Sequence, residues 1–321
     1  MDILPRMTES EPAVLDAAQA ETILRVVFPA AAVTEVAART GGRLSAVYEV
    51  RCADPAHTVI FKIYSEQWRW KQSKEVRVYE LLASRTGWPV PAVLHHSPDG
   101  GPGGRAITIL SLLPGRPLSE ASEEVGAAQV PELYRQMGAA LADVHRISQE
   151  AYGYLVTKIL DPLPDNGSYM RHQFAKKLKE FEELGGDQDL HAAVTRRVER
   201  GAGFFDNCEH AVLCHNDLHE GNVLVSPGSG GWKITGLIDV ENAIAADPLM
   251  DLAKTDLYSL GRGEPETKAL LEGYGTLPED AAQRLDLYRL YHAIELWDWF
   301  TSIGISEPLA SIAADIARLA G

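Results

Sequence analysis

The sequence VLCHNDLHEGNVLV at residues 212–225 carries the clearest pattern in the chain. Two apolar runs with the composition of β-strands enclose a polar loop, and the loop ends in Gly221-Asn222. Asp217 and Asn222 lie five positions apart on this loop, and Asp239 closes a third apolar run 17 positions after Asn222. The pattern predicts a loop between strands that brings a carboxylate, an amide and a second carboxylate close together.

This set of side chains suits phosphoryl transfer. In such reactions one carboxylate orients the attacking hydroxyl, while an amide and another carboxylate hold magnesium. Magnesium prefers hard oxygen ligands and takes few of them from the protein, so one Asn and one Asp fit it better than a set of thiolates. The loop and the third strand therefore predict a magnesium-dependent site.

A lysine on an apolar strand is the next unusual feature. Lys62 lies in the run 59–63, where an ammonium group needs a partner. Glu75 on the following predicted helix is one candidate and Glu80 on the same helix is another, with the apolar register favouring Glu75. A lysine held in this way would reach the α- and β-phosphates of a nucleotide and screen their charge.

The two halves of the chain differ in their predicted elements. We predict a helix near the N-terminus and then a mainly antiparallel sheet with one inserted helix, from strands at 33–38, 46–52, 57–63, 92–95 and 106–112 and a helix at 70–83. The segment 113–117 contains two prolines and a glycine and marks a boundary. Beyond it the chain is mostly helical, with apolar helical spacing at 131–147, 173–184, 248–260 and 281–300. The fold class is α+β.

Composition excludes several classes of protein. Apolar residues make up 45% and charged residues 23%, as in ordinary globular proteins. The net charge of −15 argues against a nucleic-acid partner, which needs a basic surface. Three cysteines are too few for a disulfide framework, and no apolar run is long enough to cross a membrane. We expect a cytoplasmic protein with no membrane partner.

Taken together, these motifs resemble those of the aminoglycoside phosphotransferase family, which comprises antibiotic and small-molecule kinases with a protein-kinase-like fold. The resemblance spans residues 30 to 300 in the same order. It implies a bilobal fold, with an N-terminal nucleotide-binding lobe at 1–112, a hinge at 113–117 and a C-terminal catalytic and acceptor-binding lobe at 118–321. The cofactors that it implies are ATP or GTP with Mg²⁺.

The resemblance also implies roles for particular residues. Asp217 would be the catalytic base, Lys62 and Glu75 an ion pair, and Asn222 and Asp239 the metal ligands, while Asp251 would brace the catalytic loop. The remaining implied residues are His219 in the catalytic loop, the nucleotide loop with Gly41, Gly42, Arg43 and Ser45, and the hinge with Leu110, Ser111 and Leu113. Asn216 departs from the family pattern, which usually has a small residue there, and Glu220 stands where proline is frequent.

Two other functions fit parts of the pattern. His215, Asp217 and His219 alternate, and on a continuous strand they would share a face, as the ligands of a zinc or dimetal hydrolase can. In the plainer interpretation, both histidines bond to the loop backbone and fix Asp217. A catalytically silent nucleotide-binding protein is the second alternative. The chain has no Gly-x-x-x-x-Gly-Lys-Ser/Thr motif, which excludes a P-loop enzyme.

The resemblance implies that the acceptor is a small molecule with a hydroxyl group, and residues 291–300 are where we expect it to bind. Glu295 and Asp298 share a helix face and could grip ammonium groups, while Trp297 and Trp299 could offer aromatic faces to a cation. In the competing interpretation the tryptophans fill the core of an amphipathic helix. An acidic pocket suits an aminoglycoside or another natural-product antibiotic, in resistance or self-protection. Choline-, sugar- and nucleoside-type kinases, and macrolide kinases, share the same motifs.

Overall fold

The computed structural model describes residues 14–39, 45–53, 56–258 and 263–321. Its N-terminal part is a five-stranded antiparallel sheet in the order β1-β2-β3-β5-β4, with two helices. The elements in chain order are α1 (Ala17–Leu24), β1 (Val33–Arg39), β2 (Ser45–Ala53), β3 (Ala56–Tyr64), α2 (Lys71–Arg85), β4 (Val93–Ser97) and β5 (Ile107–Ser111). The predicted antiparallel sheet with one inserted helix is confirmed.

The rest of the chain is mainly helical. Its helices are α3 (Leu118–Val125), α4 (Val130–Val144), α5 (Asn166–Glu183), α6 (Gln188–Gly201), α7 (Pro248–Tyr258), α8 (Glu264–Tyr274), α9 (Ala281–Ser302) and α10 (Leu309–Ala320). Its strands are β6 (Arg116–Pro117), β7 (Tyr152–Leu155), β8 (Ile159–Leu163), β9 (Val212–Cys214), β10 (Val223–Gly228), β11 (Gly231–Leu237) and β12 (Ile244–Ala246). The fold class is therefore α+β, as the sequence indicates.

Two small sheets frame the polar loop at 215–222. The hairpin β10–β11 pairs with β6, so the chain joins the C-terminal part directly after the 113–115 turn. The second sheet has the order β8-β7-β12-β9. The sequence analysis did not predict β7, β8 or β12, because strands of three to five residues give too short an alternation to recognise.

Three apolar clusters fill the interior. One lies between α1 and the N-terminal sheet, and the largest lies among the helices of the C-terminal part. The third joins the two parts, since Val78, Tyr79 and Leu82 of α2 pack with Leu213 of β9 and Val240. This third cluster fixes α2 against the segment that follows β11, and so positions the charged residues of α2.

In the described part of the chain, every helix is too short or too polar to meet the requirements of a membrane span.

Candidate active site

A buried carboxylate holds the start of the polar loop at 215–222. Asp251, in the first turn of α7, accepts hydrogen bonds from the backbone N–H groups of His215 (2.6 Å) and Asn216 (2.8 Å). Burial opposes ionisation of this carboxyl, but the hydrogen bond and charge of His145 and the backbone N–H of Asn216 outweigh it and lower its pKa. Asp251 therefore holds the backbone directly before Asp217 in place.

Asp217 is held at both its backbone and its side chain. Its carbonyl oxygen accepts from Asn222 Nδ2 at 2.9 Å, and its Oδ2 accepts from Asn242 Nδ2 at 3.0 Å. Asn216 has φ of 58°, a left-handed conformation that glycine adopts freely and that asparagine tolerates better than most other residues. This explains how Asn216 can stand where the family usually has a small residue. The second carboxylate oxygen of Asp217 remains available to a ligand.

The two histidines of the loop have different surroundings. His219 Nδ1 accepts from the backbone N–H of Gly221 at 3.0 Å, and its Nε2 lies 3.9 Å from Asp217 Oδ1. The His215 ring is buried, its two nitrogens have no hydrogen-bond partner within the described ranges, and burial lowers its pKa. His219 thus fixes the loop backbone, whereas His215 contributes through its own backbone N–H.

The structure does not gather His215, Asp217 and His219 into a metal cluster. The strand β9 ends at Cys214, so the three residues lie on a loop and do not share a strand face. Where the chain is described, the one group of three ligand-type side chains with ligand atoms within 4.8 Å is His145, Cys214 and Asp251, all buried. His145 and Asp251 of this group hold the loop, and Cys214 Sγ donates to the Asp247 carbonyl at 3.6 Å.

Asn222 and Asp239 are the oxygen donors next to Asp217. Because Asn222 uses its Nδ2 on the Asp217 carbonyl, its Oδ1 is left as an acceptor. Asp239 has φ of 61°, and its backbone N–H donates to Tyr79 Oη at 3.0 Å. Its carboxylate is 42% exposed and contacts Lys62 through one oxygen only. One amide oxygen and one accessible carboxylate form the hard donor set that magnesium prefers.

Lys62 meets three carboxylates. Its ammonium is 3.0 Å from Glu75, 3.1 Å from Asp239 and 2.9 Å from Glu241. Burial favours the neutral amine, but these three carboxylates raise its pKa well above the ordinary value, and the ammonium stays charged. The structure thus brings together the predicted pair Lys62 and Glu75, and Glu80 is exposed.

Sequence reasoning gave no role to three residues that the structure places beside this site. Glu241 accepts from Lys62 and, at 3.0 Å, from Lys71 on α2, while Asn242 holds Asp217. Burial opposes the charge of Glu241, but the two lysines lower its pKa to about 2. The available signal was the position of Glu241 and Asn242, which follow Asp239 by two and three positions.

Among the predicted nucleotide contacts that the structure describes, Ser45 and Ser111 lie toward opposite ends of β3, since Ser45 pairs with Tyr64 and Ser111 pairs with Val59. Gly41, Gly42 and Arg43 fall outside the described residues. Ser45 opens β2 and is buried, and Leu110 and Ser111 end β5. The backbone N–H of Ser111 donates to the Ala92 carbonyl at 2.9 Å, so this N–H is already occupied. Leu113 follows β5, half-buried against Gly236 of β11.

The predicted acceptor residues on α9 are not equivalent in the structure. Glu295 accepts from Lys254 Nζ at 3.0 Å and contacts His292 Nδ1 at 3.1 Å. Asp298 is buried with both oxygens lacking a hydrogen-bond partner in the described segments, and burial raises its pKa to about 8.

The two tryptophans of α9 face different surroundings. Trp297 packs on Phe181 with ring centroids 4.4 Å apart, in the manner of a core residue. Trp299 is 41% exposed and contacts Phe300. On α9, therefore, Glu295 is already paired, Asp298 is buried, Trp297 is packed in the core and Trp299 is exposed.

Comparisons with solved structures support the fold. A thermostable mutant of aminoglycoside phosphotransferase APH(4)-Ia in ternary complex with ADP and hygromycin B superposes with a TM-score of 0.70 at 15% identity, covering 94% of this chain and 97% of that one. A mutant of aminoglycoside 2'-phosphotransferase-IIIa in complex with GDP gives 0.71 at 16% identity, covering 94% and 98%. A protein of Haemophilus somnus 129PT, provisionally assigned as a fructosamine-3-kinase, gives 0.67 at 16% identity, covering 94% and 96%.

Sequence comparison gives the family. A search among curated proteins finds no significant match. The model of the phosphotransferase enzyme family, APH, matches residues 35–288, a range that contains Lys62, Asp217, Asn222 and Asp239. The match covers most of the chain, and the superposed structures share its mixed fold from the N-terminal sheet to the helical part. The chain therefore belongs to the APH phosphotransferase enzyme family and has its bilobal, protein-kinase-like fold.

Proposed function

We propose that this enzyme moves the γ-phosphate of ATP or GTP to a hydroxyl group of a small molecule, with Mg²⁺. The observation that carries the proposal is the convergence of four side chains from distant parts of the chain. Asn222 bonds to the Asp217 carbonyl, and Lys62 bonds to Asp239. The backbone N–H of Ile238, the residue before Asp239, donates to the Asn222 carbonyl at 3.0 Å and joins the two pairs. The proposal thus has a base, an amide oxygen, a carboxylate and an ammonium in one site, as phosphoryl transfer requires.

In this proposal the acceptor hydroxyl bonds to Asp217, which orients it and takes its proton as transfer proceeds. Asn242 holds one carboxylate oxygen, so the other is aimed at the acceptor. Lys62 screens the charge of the phosphates, and Glu75 keeps its ammonium in place. His219 contributes by fixing the loop backbone. Catalysis rests mainly on positioning and on charge neutralisation, because the transition state of phosphoryl transfer is loose.

Asn222 and Asp239 are the residues that would hold the magnesium ion. Bound there, the ion neutralises the negative charge that the phosphates bring into the site. The fit is supported by the chemistry of the two donors, since both are hard oxygens and neither is fully engaged by protein groups.

We assign nucleotide binding to the lobe at 1–112, acceptor binding to the lobe at 118–321, and the hinge to 113–117. The purine would lie against the chain at the end of β5, at Leu110, Ser111 and Leu113, and the phosphates near Ser45 and the residues before it. Separate sheets and separate apolar clusters support the division. Because its donor is ATP or GTP, we place the enzyme in the cytoplasm.

Aminoglycosides and other natural-product antibiotics are the first acceptors that we propose. The support is the fold shared with an aminoglycoside phosphotransferase that binds hygromycin B. In this scheme Glu295, Asp298, Trp297 and Trp299 line the acceptor side near Asp217, and the biological role would be resistance or self-protection.

One observation favours a less cationic acceptor as the second candidate. Glu295 is already paired with Lys254, and the raised pKa of Asp298 leaves that carboxyl largely protonated at neutral pH. A site with few free anions suits a sugar- or nucleoside-type hydroxyl acceptor better than a polycation.

The test is transfer of labelled γ-phosphate from ATP, and separately from GTP, in the presence of Mg²⁺. The acceptor panel contains aminoglycosides, macrolides, nucleoside antibiotics, choline and simple sugars, with Asp217→Asn protein as the blank. A phosphorylated product that is missing from the blank supports the proposal and names the acceptor class. Product formed without nucleotide contradicts it.

A further inference from the structure

A continuous run of hydrogen bonds connects Lys62 with Asp217 through three other side chains. Lys62 Nζ donates to Glu241 Oε2 at 2.9 Å, and Glu241 Oε1 accepts from Lys71 Nζ at 3.0 Å. Lys71 Nζ then donates to Asn242 Oδ1 at 3.4 Å, and Asn242 Nδ2 donates to Asp217 Oδ2 at 3.0 Å. The run therefore joins the lysine assigned to the phosphates with the carboxylate assigned to the acceptor.

Lys71, like Lys62, belongs to the N-terminal part, and it is the member of this run that lies on α2. It is the first residue of α2, it is 4% exposed, and its ammonium lies 5.1 Å from the Trp68 ring and 5.9 Å from the Trp70 ring. A buried ammonium needs a charged partner, and Glu241 supplies it. Its position is thus fixed by α2 on one side and by the segment after Asp239 on the other.

The amide of Asn242 explains why Lys71 matters to Asp217. An amide has one oxygen that only accepts and one nitrogen that only donates. Because Lys71 can only donate, it binds the Asn242 oxygen, and this choice turns the nitrogen toward Asp217. The opposite orientation would set the amide oxygen against the Asp217 carboxylate and the amide nitrogen against the ammonium, and both contacts would be repulsive.

We propose that Lys71 is a positioning residue, which selects the Asn242 orientation that donates to Asp217 and so ties the placement of helix α2 to the aim of the catalytic base. The effect of Lys71 on catalysis rests on the proposed function, whereas its effect on the loop at 215–222 does not. The backbone carbonyl of Asn242 also accepts from Asn216 Nδ2 at 3.1 Å, so Asn242 holds the side chains of both Asn216 and Asp217.

The chain offers a matched control for Lys71. Lys74 is a second buried lysine one turn further along α2, its Nζ lies 3.8 Å from the Tyr154 ring centroid, and it has no hydrogen-bond partner within the described residues. Burial lowers the pKa of this amine well below its ordinary value. Lys71→Met and Lys74→Met therefore each replace a buried lysine of the same helix by methionine. Only the first change breaks the run to Asp217.

The experiment compares the two variants in kinetics and in hydrogen exchange. We expect Lys71→Met to lower kcat about tenfold or more, because the aim of the base is lost. The Kd for nucleotide stays within about twofold of the wild type, because Lys62 keeps its three carboxylate partners. Lys71→Arg restores most of kcat. Amide exchange in residues 215–222 rises in Lys71→Met and stays unchanged in Lys74→Met. Equal kcat in the two methionine variants, or equal exchange, overturns the proposal.

A double-mutant cycle tests whether Lys71 acts through Asn242. If it does, Lys71→Met combined with Asn242→Ala has the kcat of Asn242→Ala alone, whereas losses that multiply contradict the proposal. Asn242→Asp keeps an acceptor for Lys71 and removes the donor to Asp217, so a folded Asn242→Asp enzyme with wild-type kcat also contradicts it. If the wild type transfers no phosphate, the proposed function fails, and the exchange measurement still decides the role of Lys71.

Discussion

Asp217 is held in place mostly by hydrogen bonds to backbone groups of its loop. The two N–H groups before it are held by Asp251, and its carbonyl oxygen is held by Asn222. Asn242 is the side chain that bonds its carboxylate at 3.0 Å. The loop therefore has little need of the carboxylate charge for its own conformation, and that charge is available for chemistry.

Because the loop is held through its backbone, we expect Asp217→Asn to change catalysis and to leave the loop conformation intact. We expect kcat to fall by about 10² to 10⁴, because a positioned base is lost, while the nucleotide binds as before. Steady-state kinetics and equilibrium nucleotide binding check the two parts. The control is Asp189→Asn, an exposed acid on α6, with wild-type turnover expected. Near-normal turnover in Asp217→Asn would remove the role assigned to this residue.

Asp239 leads to a different prediction. Asp239→Asn removes one of the two proposed oxygen donors for magnesium and one of the three carboxylates around Lys62. We expect the Mg²⁺ concentration for half-maximal activity to rise about tenfold or more, since the variant lacks the charge of the ligand. A Mg²⁺ titration of initial rates measures it. A Mg²⁺ dependence identical to that of the wild type counts against Asp239 as a ligand.

At the scale of elements, α4 and α8 pack with their backbones in unusually close contact. A Cβ on Gly138 would lie 2.0 Å from the Leu270 carbonyl oxygen, and one on Gly273 would lie 1.9 Å from the Arg135 carbonyl oxygen. Each glycine thus makes room for the other helix. The pair anchors α4, whose last turn leads to His145 and so to the Asp251 brace.

Gly138→Ala is therefore expected to destabilise the protein by about 1–3 kcal/mol, although alanine favours helices, because the helices must separate. Urea unfolding and the Tm measure the change. Gly203→Ala is the matched control, since a Cβ there has no atom within 4 Å in the described structure. A Gly138→Ala protein as stable as Gly203→Ala would show that the contact is looser than described.

The sequence predicts those parts of the fold and of the site that depend on a local pattern of residues. The strands around the loop, the helix α2 and the pair Lys62 and Glu75 all follow from apolar spacing over a few residues. The contact of Lys71 with Glu241 joins residues 170 positions apart, and no local pattern encodes it. The same holds for Glu295, whose partner Lys254 lies on a different helix.

At the scale of the whole molecule, the third apolar cluster connects the N-terminal part with the C-terminal part. It packs α2 against β9 and against the segment after Asp239. The charged contacts of Lys62 and Lys71 lie beside this cluster, so the ammonium groups are buried and the ion pairs are shielded from solvent. A shift of α2 would change the apolar packing and the ion pairs together.

Stability should depend on pH through Asp298. Burial raises its pKa to about 8, whereas the unfolded chain has the ordinary value of about 3.9. At a pH between these two pKa values, the Asp298 carboxyl has lost its proton in the unfolded chain and keeps it in the folded protein. The free energy of unfolding therefore falls as pH rises from about 4 to about 8, by up to about 1.4 kcal/mol per pH unit, and levels off above.

Asp298→Asn is expected to remove this slope and to raise stability at pH 8 relative to the wild type. The difference shrinks toward pH 4, where both states of the wild type are protonated. Urea unfolding at pH 5, 7 and 9 measures it, with Asp189→Asn as the exposed control. An Asp298→Asn protein with the wild-type slope would show that Asp298 is ionised in the folded state.

The most direct measurement is γ-phosphate transfer by the wild type and by Asp217→Asn, with nucleotide binding measured on both proteins. We predict a phosphorylated small molecule with the wild type, formation of that product about 10² to 10⁴ times slower with Asp217→Asn, and equal nucleotide affinity for the two. Product formed equally by both proteins, or a wild type that binds neither ATP nor GTP, would contradict the assignment of this site to phosphoryl transfer.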